Sequence, residues 1–407
     1  MARHFGLFSC TSLVAVVLLA LAGAGWSAPA KKNLLARVGT LHGTHINSPK
    51  SVLFSTDGKL FYVNALEGCE TLVFDSASRE LLHVIRHSFG VDDAGLFLNG
   101  EDTVFDYAYA ARADKTCRNC FSGKPVEGVL THGGRYLWVS FYRRDFDRWA
   151  QSPSAMAVID TRANAVVRVM PTGPLPKVLA VSPDGRELAV VHWGDNTVGV
   201  VNISSENPVD FAYVSHLVAG KRLNTATLSG RRRDAACGLC LRGAAFNADG
   251  TRLFVARMRG GGIEVFSLDG QEAPRVVCPE ISVPRHLVLS HDGETLYVSA
   301  RNGIHALPVK DLLDPQTAPV SRFLHVGRGL RTIALSPDGQ RLYAVANNTS
   351  TLSCIDLRQW KILETVPVPR YAVGLAVSPD GRMLVTTSQG KRGVGGHVVT
   401  VYAVGEE

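Results

Sequence analysis

The chain has 407 residues, of which 46% are hydrophobic and 19% are charged, with 43 Lys and Arg against 36 Asp and Glu. These proportions exclude an intrinsically disordered chain and a coiled coil, because the apolar share is too high and the charged share too low for either. The formal charge of +7 is mild, and the short basic run at 231–233 does not indicate nucleic-acid binding. We therefore predict no nucleic-acid partner.

The first 30 residues have the pattern of a secretory signal peptide. Arg3 precedes an uncharged stretch with an apolar centre from Leu13 to Ala24, and small residues follow at Ser27 and Ala28. A membrane anchor is the alternative, but an apolar centre of about 12 residues is shorter than the roughly 20 residues of a spanning helix. We expect residues 1–30 to be removed, leaving a periplasmic or secreted protein without a membrane span.

A hairpin signal recurs along the rest of the chain: an apolar run, Asp-Gly or an equivalent dipeptide, and a second apolar run. Asp-Gly favours a tight turn because glycine accepts the positive φ that the turn requires. The last three intervals are 43, 46 and 42 residues, close to the length of one four-stranded propeller blade. The seven turns are centred on Asp57-Gly58, Gly133-Gly134, Asp184-Gly185, Asp249-Gly250, Asp292-Gly293, Asp338-Gly339 and Asp380-Gly381.

Each copy divides into four short strands, and the second strands are almost continuously apolar, as is typical of strands buried on both faces. The seventh copy ends one strand short, whereas a spare strand-like segment lies at Leu34 to Leu41. The sequence therefore predicts an all-β fold, a seven-bladed β-propeller of four-stranded blades, in which the N-terminal strand completes the last blade and closes the ring. Six or eight blades are the alternatives if an insertion hides or mimics a blade.

The turn motif Ser-Pro-Asp-Gly-x-x-Leu at Ser182, Ser336 and Ser378, together with Val-Phe-Asp at Val73 and Val-Ile-Asp at Val158, resembles the YVTN-type β-propeller repeat family. That family is similar to the propellers of exported quinoproteins, of the haem domain of dissimilatory nitrite reductase and of bacterial lactonases. The resemblance implies the fold. It implies little about function, because the repeat residues are turn and core residues.

Propeller geometry predicts a basic channel mouth. The starts of the first strands and the loops between second and third strands share one end of the channel, and five first strands begin with a basic residue: Lys50, Lys177, Arg242, Arg285 and Arg331. Clustered cations focus a positive potential, and guanidinium groups suit carboxylate and phosphate. The alternative is that these are solvated loop charges, each paired with an acid.

We therefore predict a site for an anionic small molecule or an acidic protein surface. Glu127 and Tyr371 begin the remaining two first strands. The predicted ligand-binding residues are Lys177, His192, Trp193, Asn196, Arg242, Arg257, Arg285, His286, Arg301, Asn302 and Arg331. His192 and His286 are also candidate catalytic groups, as acid, base or metal ligand. A histidine that caps a strand end is the structural alternative.

Two insertions each carry a Cys-x-x-Cys pair within one propeller domain spanning 31–407. The insertion at 88–123 contains Cys117 and Cys120, and the insertion at 217–240 contains Cys237 and Cys240. Four thiolates suit a structural zinc site, two disulfides suit an exported chain, and a reactive redox pair is a third possibility. No histidine follows either pair, so we predict no c-type haem.

Three functions fit these patterns. The first is an exported binding or interaction module that presents the basic mouth to a ligand or partner. The second is an enzyme, either a cofactor-dependent oxidoreductase or a lactonase-like hydrolase, although calcium-dependent lactonases line their channel with carboxylates and amides rather than cations. The third is metal handling through the cysteines and histidines. The sequence favours the binding module and leaves the cofactor, the ligand and the oligomeric state open.

Overall fold

The computed structural model describes residues 33–98, 117, 119–224, 232–390 and 396–405. The predicted signal peptide lies outside the described residues, as do parts of both insertions, 99–116 and 118 in the first and 225–231 in the second. The described residues form seven antiparallel sheets, one for each predicted blade. The seven-bladed prediction is confirmed, and the alternatives of six or eight blades are wrong.

The strands follow the repeat in chain order. Strand β1 (Leu35–Leu41) belongs to the last blade, and the first three blades comprise β2 (Pro49–Phe54), β3 (Leu60–Ala65), β4 (Glu70–Asp75) and β5 (Leu81–Arg86); β7 (Phe121–Thr131), β8 (Tyr136–Arg144), β9 (Ser154–Asp160) and β10 (Ala165–Thr172), with the short β6 (Ser88–Phe89) beside β7; and β11 (Pro176–Val181), β12 (Glu187–His192), β13 (Thr197–Asn202) and β14 (Ala212–Val218).

The remaining blades repeat this order from the inner strand outward. They comprise β15 (Leu241–Phe246), β16 (Arg252–Arg257), β17 (Ile263–Ser267) and β18 (Arg275–Val277); β19 (His286–Leu289), β20 (Thr295–Ser299), β21 (Gly303–Pro308) and β22 (Arg322–His325); β23 (Leu330–Leu335), β24 (Arg341–Ala346), β25 (Thr351–Asp356) and β26 (Lys361–Pro367); and β27 (Ala372–Val377), β28 (Met383–Ser388) and β29 (Val398–Val404) with β1.

Helical segments in the described part of the chain are short. They are one α-helix, α1 (Val309–Leu313), and 3-10 turns at Val91–Leu96, His132–Gly134, Pro208–Asp210 and Arg233–Ala235. None of these segments is long and apolar enough to cross a membrane.

The ring closes by the predicted route. Strand β1 pairs antiparallel with β29, from Leu35 opposite Val404 to Leu41 opposite Val399, so the last blade has its fourth strand. The inner strands β2, β7, β11, β15, β19, β23 and β27 each contact the next, and β27 contacts β2. Blades 1 and 7 also share one hydrophobic core, in which Phe61 and Val63 pack with Val385 and Val401.

The repeat motif explains its own turn, as the sixth blade illustrates. Ser336 Oγ donates to Asp338 Oδ1, the Arg341 N–H donates to Ser336 Oγ at 2.9 Å, and the Gln340 N–H donates to Asp338 Oδ1 at 3.0 Å. Gly339 has a φ of 69°, in the left-handed region that favours glycine. The hydrogen bond from Ser336 contributes most to lowering the pKa of Asp338. Serine, aspartate and glycine therefore each satisfy one requirement of the hairpin.

Candidate functional site: a basic cavity at one end of the ring

A β-bulge lies near the start of six of the seven inner strands. In four of them the bulge holds a basic residue: Lys50 in β2, Lys177 in β11, Arg242 in β15 and Arg331 in β23. A bulge inserts an extra residue and redirects its side chain relative to the pleat. Arg285 occupies the corresponding place directly before β19. The six bulges and the position before β19 therefore present one side chain from each blade at the same end of the ring.

These side chains line a common cavity of about 760 Å³. All seven blades contribute, because Val126 and Val373 occupy the equivalent bulges of β7 and β27. The described residues that line it include ten Lys or Arg side chains and two carboxylates, Glu67 and Asp234. The five cations at the starts of the inner strands are named the basic ring: Lys50, Lys177, Arg242, Arg285 and Arg331.

The backbone of the basic ring is held by neighbouring blades. Ser140 Oγ donates to the carbonyl of Lys177 at 3.1 Å, and Ser299 Oγ donates to the carbonyl of Arg331 at 2.7 Å. Thr387 Oγ1 donates to the carbonyl of Lys50 at 3.0 Å, across the ring closure. Because each of these bonds comes from the second strand of the preceding blade, the position of each bulge is fixed by the packing of two blades.

Most of the basic ring forms no ion pair within the described part of the chain. Among the described residues, no ion pair joins a carboxylate to Lys177, Arg242, Arg285 or Arg331. The Nε atoms of Arg285 and Arg331 are buried and have no hydrogen-bond partner within the same part of the chain. Lys50 Nζ donates to Gln389 Oε1 at 2.9 Å. The basic ring thus holds several positive charges and unused hydrogen-bond donors in a partly buried place. Removing such groups from water without a partner costs free energy of folding.

Burial and mutual repulsion act on the pKa values of the basic ring. Burial, followed by the charges of neighbouring cations, lowers the pKa of Lys50 well below its usual 10.5. Burial lowers the pKa of Lys177 to about 8, against a raising effect of Asp234. Arg242 contributes to lowering the pKa of Lys50, Lys177, Arg285 and Arg331, so it lies within electrostatic reach of every other member. The arginines nevertheless stay protonated at neutral pH.

Aromatic side chains form the wall beside Lys177. Its Nζ lies 4.1 Å from the ring centroid of Tyr142 and 5.2 Å from that of Trp193, both within cation–π distance. Trp193 is 7% exposed, and its Nε1 has no acceptor among the described residues. The Tyr142 hydroxyl donates to Asp234 Oδ2 at 2.8 Å. The wall therefore combines apolar surface with one unused donor.

Of the eleven residues predicted to bind ligand, five line the cavity: Lys177, Trp193, Arg242, Arg285 and Arg331. Lys50 and Tyr371, from the predicted strand starts, line it as well. Glu127 is not among the lining residues, and Val126 takes its place. Glu127 still lies close enough to Lys50, Lys177 and Arg242 to interact with their charges, and burial raises the pKa of its carboxyl.

The structure does not bring the His192 ring into the cavity. The side chain is fully buried, its Nε2 accepts from the Gly173 N–H at 3.1 Å, and its Nδ1 lies 2.8 Å from Thr197 Oγ1. Burial lowers the pKa of His192 well below its usual value, so the ring is neutral. Asn196 has a comparable position, since its side chain donates to the Lys221 carbonyl and accepts from the Leu239 N–H. Both residues hold backbone in place.

Four further predicted residues also lie off the cavity wall. Arg257 pairs with the buried Glu264, with Nε and Oε2 3.3 Å apart. Arg301 lines a separate cavity, and the Asn302 carbonyl accepts from the Val326 N–H. His286 Nδ1 lies 3.5 Å from the Ile333 N–H, and burial lowers its pKa to about 4. Neighbouring elements thus engage the side chains of Arg257 and His286, and none of the four side chains lines the cavity.

Sequence reasoning missed several lining residues. Tyr142, Trp149 and Asp234 lie in or beside loops that the repeat does not define, and Val126 and Val373 carry no polar signal. The recurrence of the bulge position, which is the second residue of β2, β11, β15, β23 and β27, was the available signal. It identifies Val126 and Val373 once the bulges are aligned.

Each Cys-x-x-Cys pair forms its own disulfide, Cys117 with Cys120 and Cys237 with Cys240. The second pair is fully buried and packs against Trp193, so it supports the cavity wall. Within the described residues, no group of three or more His, Cys, Asp or Glu side chains is placed to hold a metal ion. Zinc at the four cysteines stays a prediction that would require their reduced form.

Limited reduction should distinguish the two disulfides. The cysteines of the first pair are half-buried, whereas Cys237 and Cys240 have no exposed surface. Because an attacking thiolate must reach a sulfur atom, a mild reductant should open Cys117–Cys120 at least about tenfold faster. Mass spectrometry of alkylated peptides measures both rates, with a denatured sample as the control. Equal rates in the folded protein would contradict the buried position of the second pair.

Fold and cavity together define a seven-bladed β-propeller with a basic cavity at one end of its inner-strand ring. The chain is similar to the Myceliophteria thermophila Cps50 (Swd1) β-propeller domain, with a TM-score of 0.62 and 14% identity over 91% of this chain and 100% of that chain. It is similar to a chain of Kuenenia stuttgartiensis hydrazine synthase, with a TM-score of 0.61 and 14% identity over 91% and 100%. It is also similar to a chain of a mitotic checkpoint complex, with a TM-score of 0.62 and 12% identity over 97% of this chain and 99% of that chain.

At these identities the likeness establishes the fold alone. Among curated proteins, antigen Lp49 of Leptospira interrogans is 26% identical over 122 residues, a match that covers 27% of this chain and 25% of the antigen. No protein-family model matches the chain, so its relation to the YVTN-type repeats stays a resemblance. The propeller fold is compatible with an interaction module.

Proposed function

We propose that this protein is an exported binding module whose basic cavity holds an anionic small molecule. The observation that supports the proposal is the basic ring, in which cations from five blades line one cavity and none of them forms an ion pair with a carboxylate among the described residues. Burying unpaired cations costs stability, and a bound anion would offset that cost. An acidic protein surface is the other partner that the charge admits, but a concave cavity of about 760 Å³ suits a small molecule.

Export is supported by the two disulfides, because such bonds persist in oxidising compartments. The enzyme alternatives gain no comparable support. The candidate catalytic histidines His192 and His286 lie outside the lining residues, and burial lowers the pKa of both. A neutral, buried imidazole bonded to backbone holds structure rather than exchanging protons with a ligand.

Calorimetric titration with small carboxylates and phosphates, at constant ionic strength, tests the proposal. One molecule should bind per chain, an uncharged amide of the same shape should not bind, and the affinity should fall as salt rises. Binding of none of the anions would overturn the proposal. Pull-down of an acidic protein without any small-anion binding would replace it by the protein-surface alternative.

The affinity for an anion should fall about tenfold between pH 7 and pH 9.5. Lys177, with a pKa of about 8, is protonated below that value and loses its charge above it. The stability of the ligand-free protein should instead increase with pH. Between about pH 8 and 10.5 the unfolded state binds more protons at Lys177 than the folded state, so the free energy of unfolding rises with pH in that window.

Titrations at several pH values, combined with chemical denaturation, measure both trends. Lys177→Arg is the matched variant, since it keeps the charge at high pH. Its affinity should therefore depend less on pH than that of the unaltered protein. A pH dependence equal to that of the unaltered protein would exclude Lys177 from the site.

A further inference from the structure

The two arginines on blades 5 and 6 differ from the rest of the basic ring. Asp234 acts on the charge of Lys177 and of Arg242, and Glu127 acts on Lys50, Lys177 and Arg242. The groups found to act on the charges of Arg285 and Arg331 are all arginines. Blades 5 and 6 thus carry adjacent guanidinium groups whose charges are not compensated by the described carboxylates.

The geometry of these two arginines is that of unfilled donors. Each has a buried Nε atom without an acceptor in the described part of the chain, and each lines the cavity. A guanidinium group is planar and pairs best with one carboxylate or phosphate through two parallel hydrogen bonds. Two such groups on different blades can each pair in this way with an anionic group of its own.

The charge balance of the basic ring also favours a ligand with two negative charges. Five basic side chains of the ring face the two carboxylates that act on them, Glu127 and Asp234. Even if Lys50, whose pKa burial lowers well below its usual value, gives up its proton, at least two of the five positive charges remain without a counterpart. A monoanion would leave one of them uncompensated in a partly desolvated site.

We propose that the ligand of this cavity is a small molecule with two separate anionic groups, carboxylate or phosphate, one bound by Arg285 and the other by Arg331. This inference rests on the proposed function and names the ligand class. Tyr142 and Trp193 line the same cavity beside Lys177 and offer apolar surface to the uncharged part of the molecule. Lys177 contributes charge to either group without selecting between them.

Four probes that share a single benzene ring test the inference by calorimetry at pH 7 and fixed ionic strength. They are benzoate, isophthalate, phenyl phosphate and 3-carboxyphenyl phosphate. Isophthalate should bind at least about tenfold more tightly than benzoate and than phenyl phosphate, which carries its charge on one group. A tighter affinity for 3-carboxyphenyl phosphate than for isophthalate assigns one position to phosphate, and the reverse order assigns both to carboxylates.

Substitutions distinguish specific pairing with Arg285 and Arg331 from the general electrostatic attraction of the cavity. In Arg285→Gln/Arg331→Gln, benzoate and isophthalate should bind with affinities within about twofold of each other, because the second anionic group has lost its partner. Lys177→Gln is the matched control, since it should weaken both probes by a similar factor and preserve their ratio. Circular dichroism and the unfolding midpoint verify that each variant is folded.

The outcomes distinguish this inference from the proposed function. If all four probes bind the unaltered protein equally, the cavity binds anions but the two-group ligand is wrong. If phenyl phosphate equals isophthalate, total charge decides and the separate pairing with Arg285 and Arg331 is wrong. If no probe binds, both the inference and the proposed function fail.

Discussion

Replacing Arg242, Arg285 and Arg331 together by methionine should lower the affinity for a bound anion by at least about 100-fold and, at the same time, raise the free energy of unfolding by about 1–3 kcal/mol. The affinity falls because hydrogen bonds from a charged donor contribute about 1.5–3 kcal/mol each. Stability rises because three mutually repelling, partly desolvated cations are removed, while methionine keeps the apolar stem packed. Anion affinity falls while the free energy of unfolding rises. A substitution that only disrupted the fold would lower both.

Calorimetric titration gives the affinity of the triple variant, and chemical denaturation gives its stability. A matched control removes three exposed arginines from the far ends of the blades, Arg162, Arg186 and Arg358, which lie in turns away from the cavity. Both properties of the control should stay within about 0.5 kcal/mol of the unaltered protein. If the triple cavity variant is less stable and binds as before, the basic ring is a structural feature and the proposed function is wrong.

Deleting residues 33–41 should have the largest effect on the fold. The deletion removes β1, exposes the hydrogen-bonding edge of β29, and takes Leu35 out of the core that it shares with Leu384 and Tyr402. An unpaired edge strand beside a newly exposed apolar surface invites pairing with other chains. We expect the unfolding midpoint to fall by more than about 10 °C and aggregation to begin at micromolar concentration.

Thermal unfolding followed by light scattering measures both changes. Arg37→Ala is the control within the same strand, since its side chain is exposed and the backbone ladder stays intact. A synthetic peptide with the sequence of residues 33–41 should restore part of the lost stability by adding back the strand. A truncated protein that unfolds at the original temperature would mean that the ring does not depend on this closure.

The fold was predictable from the sequence because its signals are local and repeated. Ser336, Asp338 and Gly339 each satisfy one bond or one dihedral of a tight turn, and five copies of that pattern, with Asn247-Ala248-Asp249-Gly250 and the Gly133-Gly134 equivalent, mark seven hairpins. The closure by β1 was predictable by counting, since the last copy lacked a strand. The strand bounds agree to within a few residues, as in the sixth blade, where Arg341–Ala346 is the second strand.

The cavity was predictable only in part, and the reason is physical. Lys177, Arg242, Arg285 and Arg331 were found because the repeat fixes their position relative to the hairpin. The partner of a loop side chain depends on distant elements, so Arg257 could not be assigned to Glu264 from spacing. The same holds for His192, whose bond to the Gly173 backbone involves a residue of the preceding connection.

The origin of the basic ring from five different blades has a mechanical consequence. Each blade of a propeller packs against its two neighbours, so a disturbance in one blade weakens the others only by passing around the ring. A ligand that pairs with Arg285 and Arg331 on blades 5 and 6 and attracts the cations of blades 1, 3 and 4 links blades that are not neighbours, such as blades 1 and 5, as well as blades that already pack together. The empty ring should therefore loosen blade by blade, and the filled ring should unfold as one unit.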